Sequence, residues 1–366
     1  MEKRQNSRLS WGAALLIVIL VTAIAFLGAH LYVRARSRGE FGTYARLDLP
    51  ANQGLQPVGD GFVYYDGSSL LRMSSSGQTV WSHLVGANAQ FDAQTTGVAA
   101  WSGDLLTLIG WEDGVVQYSS VLSTDIVSAR MGGKYAAVLL APETDGSLLL
   151  MEPGGRQVDT LEFNGQTVLD YGFFSDDSLF WVMSLDTSGT VPTCEISTYS
   201  PGKRIVGSIS DHEQLMYQVI FRNSQLLCAG VTHLKVYDYI GTEQTAERKL
   251  IYGWYLVSAD GNSRDPMMAY ALNSQFDAGE GLQDVRMMRS NLDQTVRMPF
   301  GCASLVASGS RVYGFSKDGY IMIAKAGQQR VEAYPTGIAM DRVYGVTSDN
   351  VAVVGYGSQI YLINLP

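Results

Sequence analysis

Charge is scarce in this chain of 366 residues: 17% of its side chains are charged, against about a quarter in an average globular protein. With 39 glycines beside that shortage, the composition argues against disorder or coiled coil and for many turns between strands. Cysteine is scarcer still. Cys194, Cys228 and Cys302 are odd in number and far apart, with no CxxC spacing, which excludes a zinc ribbon and a thioredoxin-type redox pair. The count allows one disulfide plus a free thiol, but three buried thiols acting as small apolar residues is the preferred reading. Basic residues are outnumbered 26 to 35, for a net charge of −9, so nucleic acid is not an expected partner. Apolar runs long enough to cross a bilayer are missing too, with one exception.

That exception is "WGAALLIVILVTAIAFLGAHLYV", residues 11–33, which contains no charged side chain. As a helix it would extend roughly 34 Å, enough for a hydrocarbon core of about 30 Å. Trp11, His30 and Tyr32 stand near its ends, where amphipathic rings settle at the interface. "AIA" at 23–25 resembles a signal-peptidase site. The apolar stretch continues for eight residues past Ala25, which favours a retained anchor. No lipobox-type cysteine stands near the start. The expected layout is a short cytoplasmic tail (1–10), a transmembrane helix (11–33), a basic stem (34–42) and a large domain (43–366). Lys3, Arg4, Arg8, Arg34, Arg36 and Arg38 flank the span, three on each side, so the positive-inside count ties. A single span ahead of one long domain is the arrangement of a signal-anchor, and it places that domain outside the cytoplasm at the cell membrane. From residue 39 onward, 20 basic residues face 34 acidic ones, a balance of −14. An acidic body on a basic stem suits an anionic membrane surface.

Within the large domain one phrase returns. "YYDGSSLLRMSSSGQTVW" (64–81) reads as strand, Asp-Gly turn, strand, Gly-containing turn, strand. The pattern recurs in "VLLAPETDGSLLLMEPGGRQVDTLEF" from Val138 and "VYGFSKDGYIMIAKAGQQRVEAYPT" from Val312. A weaker copy starts at Leu226. Asp-Gly supplies the positive φ that tight hairpins need, because glycine has no Cβ. In "YIMIAKA" the alternation puts Tyr320, Met322 and Ala324 on one face, a period of two. Asp66, Asp145 and Asp318 are spaced by near multiples of about 42 residues, the length of a four-stranded propeller blade. Second strands are expected near Phe62, Val98, Tyr135, Ser178, Gln225, Met267, Arg311 and Asn350. The fold class is therefore all-β, a propeller of seven or eight four-stranded blades, with eight favoured. "TYARLDLP" (43–50) is a lone strand, and "SQIYLINLP" at the end is a third strand without a fourth. Pairing the two would close the ring and remove its exposed edges. Only Ser37 to Gly42 would then remain as tether, holding the ring within roughly 20 Å of the bilayer. Two β-sandwiches would not require the 42-residue rhythm. The irregular stretch 262–288 reads as one blade with a long loop.

"DGSSLLRMSSSGQTVW" (66–81) resembles the repeat of pyrroloquinoline-quinone-like propellers, in which Asp-Gly, an apolar strand, a Gly turn and a terminal Trp recur. The units at Asp145 and Asp318 match in part, with Leu161 and Tyr334 near the Trp81 position. With its single span, the chain resembles a group of membrane-anchored propellers from Gram-positive bacteria, with a WD40-like architecture. The resemblance implies a fold and a membrane setting more firmly than an activity.

A quinoprotein dehydrogenase would need a calcium site and often an adjacent Cys-Cys pair, which is absent. Asp277, Glu280 and Asp284 form the one clustered carboxylate loop, but lack the alternation of an EF-hand and read as a solvated turn. No GxSxG elbow occurs, and Asp211, His212 and Glu213 read as a loop between blades. His83, His212 and His233 would have to converge from separate blades to hold a metal, without an HExxH or HxH motif. Trp101, Trp111, Trp181 and Trp254 could line a peptide or glycan groove, but packing between blades is the simpler role. No catalytic, cofactor-binding or metal-ligating residue is assigned, and no cofactor is expected. The expected function is non-catalytic binding or scaffolding at the cell envelope. Its partners would be the bilayer, through 11–33, and a protein or envelope polymer. The alternatives are an enzyme assembled from loops of several blades, quinoprotein-like or hydrolytic, and a receptor ectodomain. The short tail before the span disfavours the receptor.

Overall fold

Gly67 at φ +104° and Gly319 at φ +82° turn the chain at two of the repeated Asp-Gly sites. The Asp66 carboxylate locks the first of these turns by accepting the Ser68 and Ser69 amides at 2.9 and 2.7 Å. Gly146 differs from the expectation, having no positive φ. A Cβ there would lie 2.2 Å from the Pro142 carbonyl oxygen, so it is close backbone approach that requires glycine. Asp145 lies outside the described residues. The computed structural model describes residues 44–51, 54–142, 146–174, 177–202, 204–261, 263–277 and 279–365, with Leu20 and Thr22. The expected span 11–33 and stem 34–42 otherwise fall outside them. Among the described residues no helix is long and apolar enough to cross a membrane.

Among the same residues, 32 strands form eight four-stranded antiparallel sheets, arranged as a propeller. Blades 1 to 7 cover 55–84, 90–121, 126–162, 166–211, 216–250, 254–302 and 304–335. Blade 8 comprises 342–364 and the first strand, Tyr44–Pro50. Within each blade the strands are lettered A to D outward from the axis. The A strands of blades 1 and 2, 6 and 7, 7 and 8, and 8 and 1 lie side by side around the centre. The B strands begin at Gly61, Gly97, Ala136, Phe180, Gln225, Met268, Arg311 and Val351, each within two residues of its expected start. The stretch 262–288 belongs to blade 6, whose long B–C loop holds a 3-10 turn at Asn273–Gln275.

A blade in such a ring has neighbours on both faces, so its period-two pattern separates two interfaces, not inside from outside. Met322 and Ala324 pack toward blade 6, while Ile321 and Ile323 pack toward blade 8. Eight apolar clusters fill the eight junctions between neighbouring blades. The Trp of the repeated phrase is one such contact. Trp81 donates its indole N–H to the Trp111 carbonyl at 2.8 Å, across the junction of blades 1 and 2. Gly114, at φ +67°, passes so close that a Cβ would stand 2.6 Å from the Trp81 ring. Arg72 lies 4.3 Å over the Trp111 ring and pairs with Asp60 at 3.0 Å.

Blade 8 is closed by the first strand. Tyr44 sits opposite Ile363 and Leu47 opposite Ile360. Leu47 is buried in the junction with blade 1, where Gly77 clears room for it. Because Tyr44 lies beside the end of a C strand, the chain enters the ring on the face formed by A–B and C–D loops, here the stem face. The D–A and B–C loops form the opposite, distal face.

Candidate binding cleft on the distal face

The two faces differ in charge. Among the described residues of the distal loops, Lys317 is the one Lys or Arg. It stands against Asp66, Asp104, Asp125, Glu213, Asp277 and Glu280, and against Asp318 and Asp341. On the stem face Lys134, Arg156, Arg264 and Arg330 are interspersed with carboxylates.

The distal loops of blades 6 to 8 surround a cleft of about 610 Å³. Phe276 and Glu280 reach it from the B–C loop of blade 6, Lys317 and Asp318 from that of blade 7, and Asp341 from the connection into blade 8. Asp341 accepts the Gly357 amide at 2.8 Å, which fixes that carboxylate. Glu280, Lys317 and Asp318 take part in no ion pair among the described residues. A row of rings leads to the cleft. Tyr217 and Tyr255 begin the A strands of blades 5 and 6, and their rings stack at 4.8 Å with 11° between planes. Phe276 meets Tyr255 edge-on at 5.8 Å. Tyr252, Tyr255 and Phe276 are 75%, 46% and 49% exposed. Burial raises the Tyr217 phenol, which stays neutral and accepts the Leu256 amide at 3.1 Å. Exposed rings beside unpaired carboxylates offer a cation both quadrupolar and ionic attraction.

Two other cavities are lined in part by side chains that pair with one another. In the first, of about 720 Å³ on the stem face, Phe174 and Phe221 pack edge-to-face at 4.9 Å as part of the junction of blades 4 and 5. The second, of about 400 Å³ between the A strands of blades 2 to 4, holds Arg130. That guanidinium lies 3.6 Å from Asp92 and 3.2 Å from Asp170, so its charge is balanced in place.

The residues weighed from sequence separate. Asp284 is held by Gln275 at 2.9 Å and by Arg297 at 3.4 Å, whereas Glu280 lines the cleft. Asp211 and Glu213 both grip Lys235, at 2.9 and 2.8 Å. His212 instead contacts Thr193 at 3.1 Å and Ser210 at 3.3 Å. His233 contacts Thr232 at 3.0 Å, and His83 lies in the D strand of blade 1. Among the described residues no group of three His, Cys, Asp or Glu converges as a metal site. Trp101, Trp111 and Trp181 are buried between blades, and Trp254 is half-buried against the junction of blades 5 and 6. The row of Tyr217, Tyr255 and Phe276 was not legible as a site. No spacing in the chain connects its rings, which come from the A strands of blades 5 and 6 and from the B–C loop of blade 6.

All three cysteines are free and buried. Burial raises the Cys194 and Cys228 thiols and pushes Cys302 up to about 12. Since the thiolate is the nucleophile, native protein at about pH 8 is expected to take up no iodoacetamide, and unfolded protein three equivalents. Mass spectrometry after quenching checks this; rapid labelling of the native chain would contradict the packing.

No family model and no curated protein matches the chain. Its fold matches solved propellers. The C-terminal WD40 domain of Sif2 aligns at TM-score 0.60 and 14% identity over 88% of this chain and 97% of that one. BamB from Moraxella catarrhalis aligns at 0.53 and 12% identity, over 88% and 98%. The computationally designed Ika8 protein aligns at 0.56 and 14% identity, over 86% and 98%. At these identities the likeness shows the fold alone: a WD40-like and BamB-like β-propeller.

Proposed function

We propose that the chain is a non-catalytic docking platform, held at the outer face of the cell membrane by residues 11–33, with its distal face turned away from the bilayer. The observation that carries this reading is the opposition of two features. The chain enters on the stem face, beside Tyr44, while the aromatic row and its carboxylates occupy the distal face. A short tether would hold the stem face, with its interspersed basic side chains, toward an anionic bilayer. It would also raise the effective concentration of membrane-bound partners near the ring.

The buried native thiols leave a clean background for a labelling test. Asp277→Cys on the distal face and Arg156→Cys on the stem face are expected to react with a membrane-impermeant maleimide on intact cells, Asp277→Cys faster. Protease added outside should digest the ring. Protection of both positions until lysis would place the domain inside and overturn the reading.

A further inference from the structure

We propose that the distal cleft between blades 6 and 7 binds an extended polypeptide segment carrying Lys or Arg side chains. The inference rests on the docking reading above and specifies its partner. Charge selects the occupant. An apolar or acidic segment entering this cleft would strip water from Glu280, Asp318 and Asp341 without pairing them, which is costly. A Lys or Arg side chain pairs with these carboxylates and lays its aliphatic stem along Phe276 and Tyr255. Lys317, the one basic side chain on the lining, fits a carboxylate or carbonyl of the same segment. Geometry selects a polypeptide over a free amine. Gly279, Gly281 and Gly301 line the cleft without side chains, leaving main chain uncovered there. Gly281 and Gly301 are fixed as glycine by packing, since a Cβ would stand 2.9 Å from the Cys302 oxygen or 1.8 Å from the Glu280 oxygen. Bare main chain can hydrogen-bond the backbone of an extended segment. The acidic loops around the cleft would speed the approach of a cation.

The test uses the full chain in detergent and a fluorescein-labelled Gly-Lys-Gly-Arg-Gly-Lys-Gly peptide, followed by anisotropy. Saturable binding is expected, weakened by salt and absent for the peptide with Glu at the three basic positions. Glu280→Gln combined with Asp318→Asn, and separately Tyr255→Ala, should each weaken binding about tenfold or more. Lys134→Ala on the stem face should leave it unchanged. No binding up to about 1 mM peptide would overturn the proposal. So would undiminished binding to the Glu280/Asp318 double variant, or displacement by spermidine at concentrations equal to the unlabelled peptide. A photo-crosslinking residue at Tyr252 in intact cells separates this failure from that of the docking reading. A defined cross-linked partner despite failed peptide binding overturns the cationic specificity alone; failure of both overturns both.

Discussion

Replacing Lys235 by methionine is expected to destabilise the ring by about 3–5 kcal/mol, the cost of leaving a buried charge without its partner. Lys235 and Asp211 meet at 2.9 Å across the junction of blades 4 and 5, with side chains 4% and 1% exposed. Burial by itself would raise the Asp211 carboxyl, but Lys235 and the Glu213 amide outweigh it and hold the group below its usual 3.8. Its contribution is therefore complete above about pH 4 and fades as pH falls through the lowered native value. In Lys235→Met the counter-charge is gone and burial dominates, so the Asp211 carboxyl rises. The deficit of the variant should shrink on acidification, as protonation removes the stranded charge. Combining Lys235→Met with Asp211→Leu should recover most of the loss, because apolar pairs replace buried ion pairs at little cost. Urea unfolding midpoints at several pH values test all three statements. A single variant as stable as the parent at neutral pH would show that the junction does not depend on the pair.

A larger loss is expected when the seven residues Tyr44–Pro50 are replaced by a Gly-Ser stretch of equal length. The C strand of blade 8 then loses its outer neighbour and presents unpaired N–H and C=O groups, an aggregation-prone edge. The Leu47 contact across the seam with blade 1 disappears as well. The expected outcome is loss of the cooperative thermal transition, with oligomers on size exclusion. Placing the sequence Tyr44–Pro50 after Pro366, through a linker of about three to five residues, should restore a monomeric fold. Such a link is an ordinary C–D hairpin, since Tyr44 already lies opposite Ile363. Unchanged melting after the replacement would mean that the ring does not need its seam.

The architecture was legible because blade-forming sequence is locally repetitive. Gly67 and Gly319 mark hairpins directly, and most of the B strands stand out as short apolar runs, those of blades 2 and 6 least clearly. The junction chemistry was not. Lys235 looks like a surface residue in "THLKVYDY", and only the return of Asp211 from the preceding blade makes it a buried cation. The cleft was hidden for the same reason. Phe276, Lys317 and Asp341 come from three blades, and no spacing in the chain connects them. The acidic loop 277–284 drew attention as a possible ligand set, yet the fold divides it, giving Asp284 to Gln275 and Arg297 and Glu280 to the cleft. Pattern reading finds what is repeated along one strand, whereas this site is built from what differs between neighbouring turns.

The seam in blade 8 also constrains biosynthesis. The strand made first has as its partner one that leaves the ribosome more than 300 residues later, as the separation of 313 between bonded Arg46 and Gln359 indicates. Seven blades can assemble in order during translation, but the eighth has to wait until the carboxyl-terminal strand is out of the exit tunnel. Until then the nascent protein carries sticky borders at both ends of its arc, and a chaperone able to shield them would act in that interval.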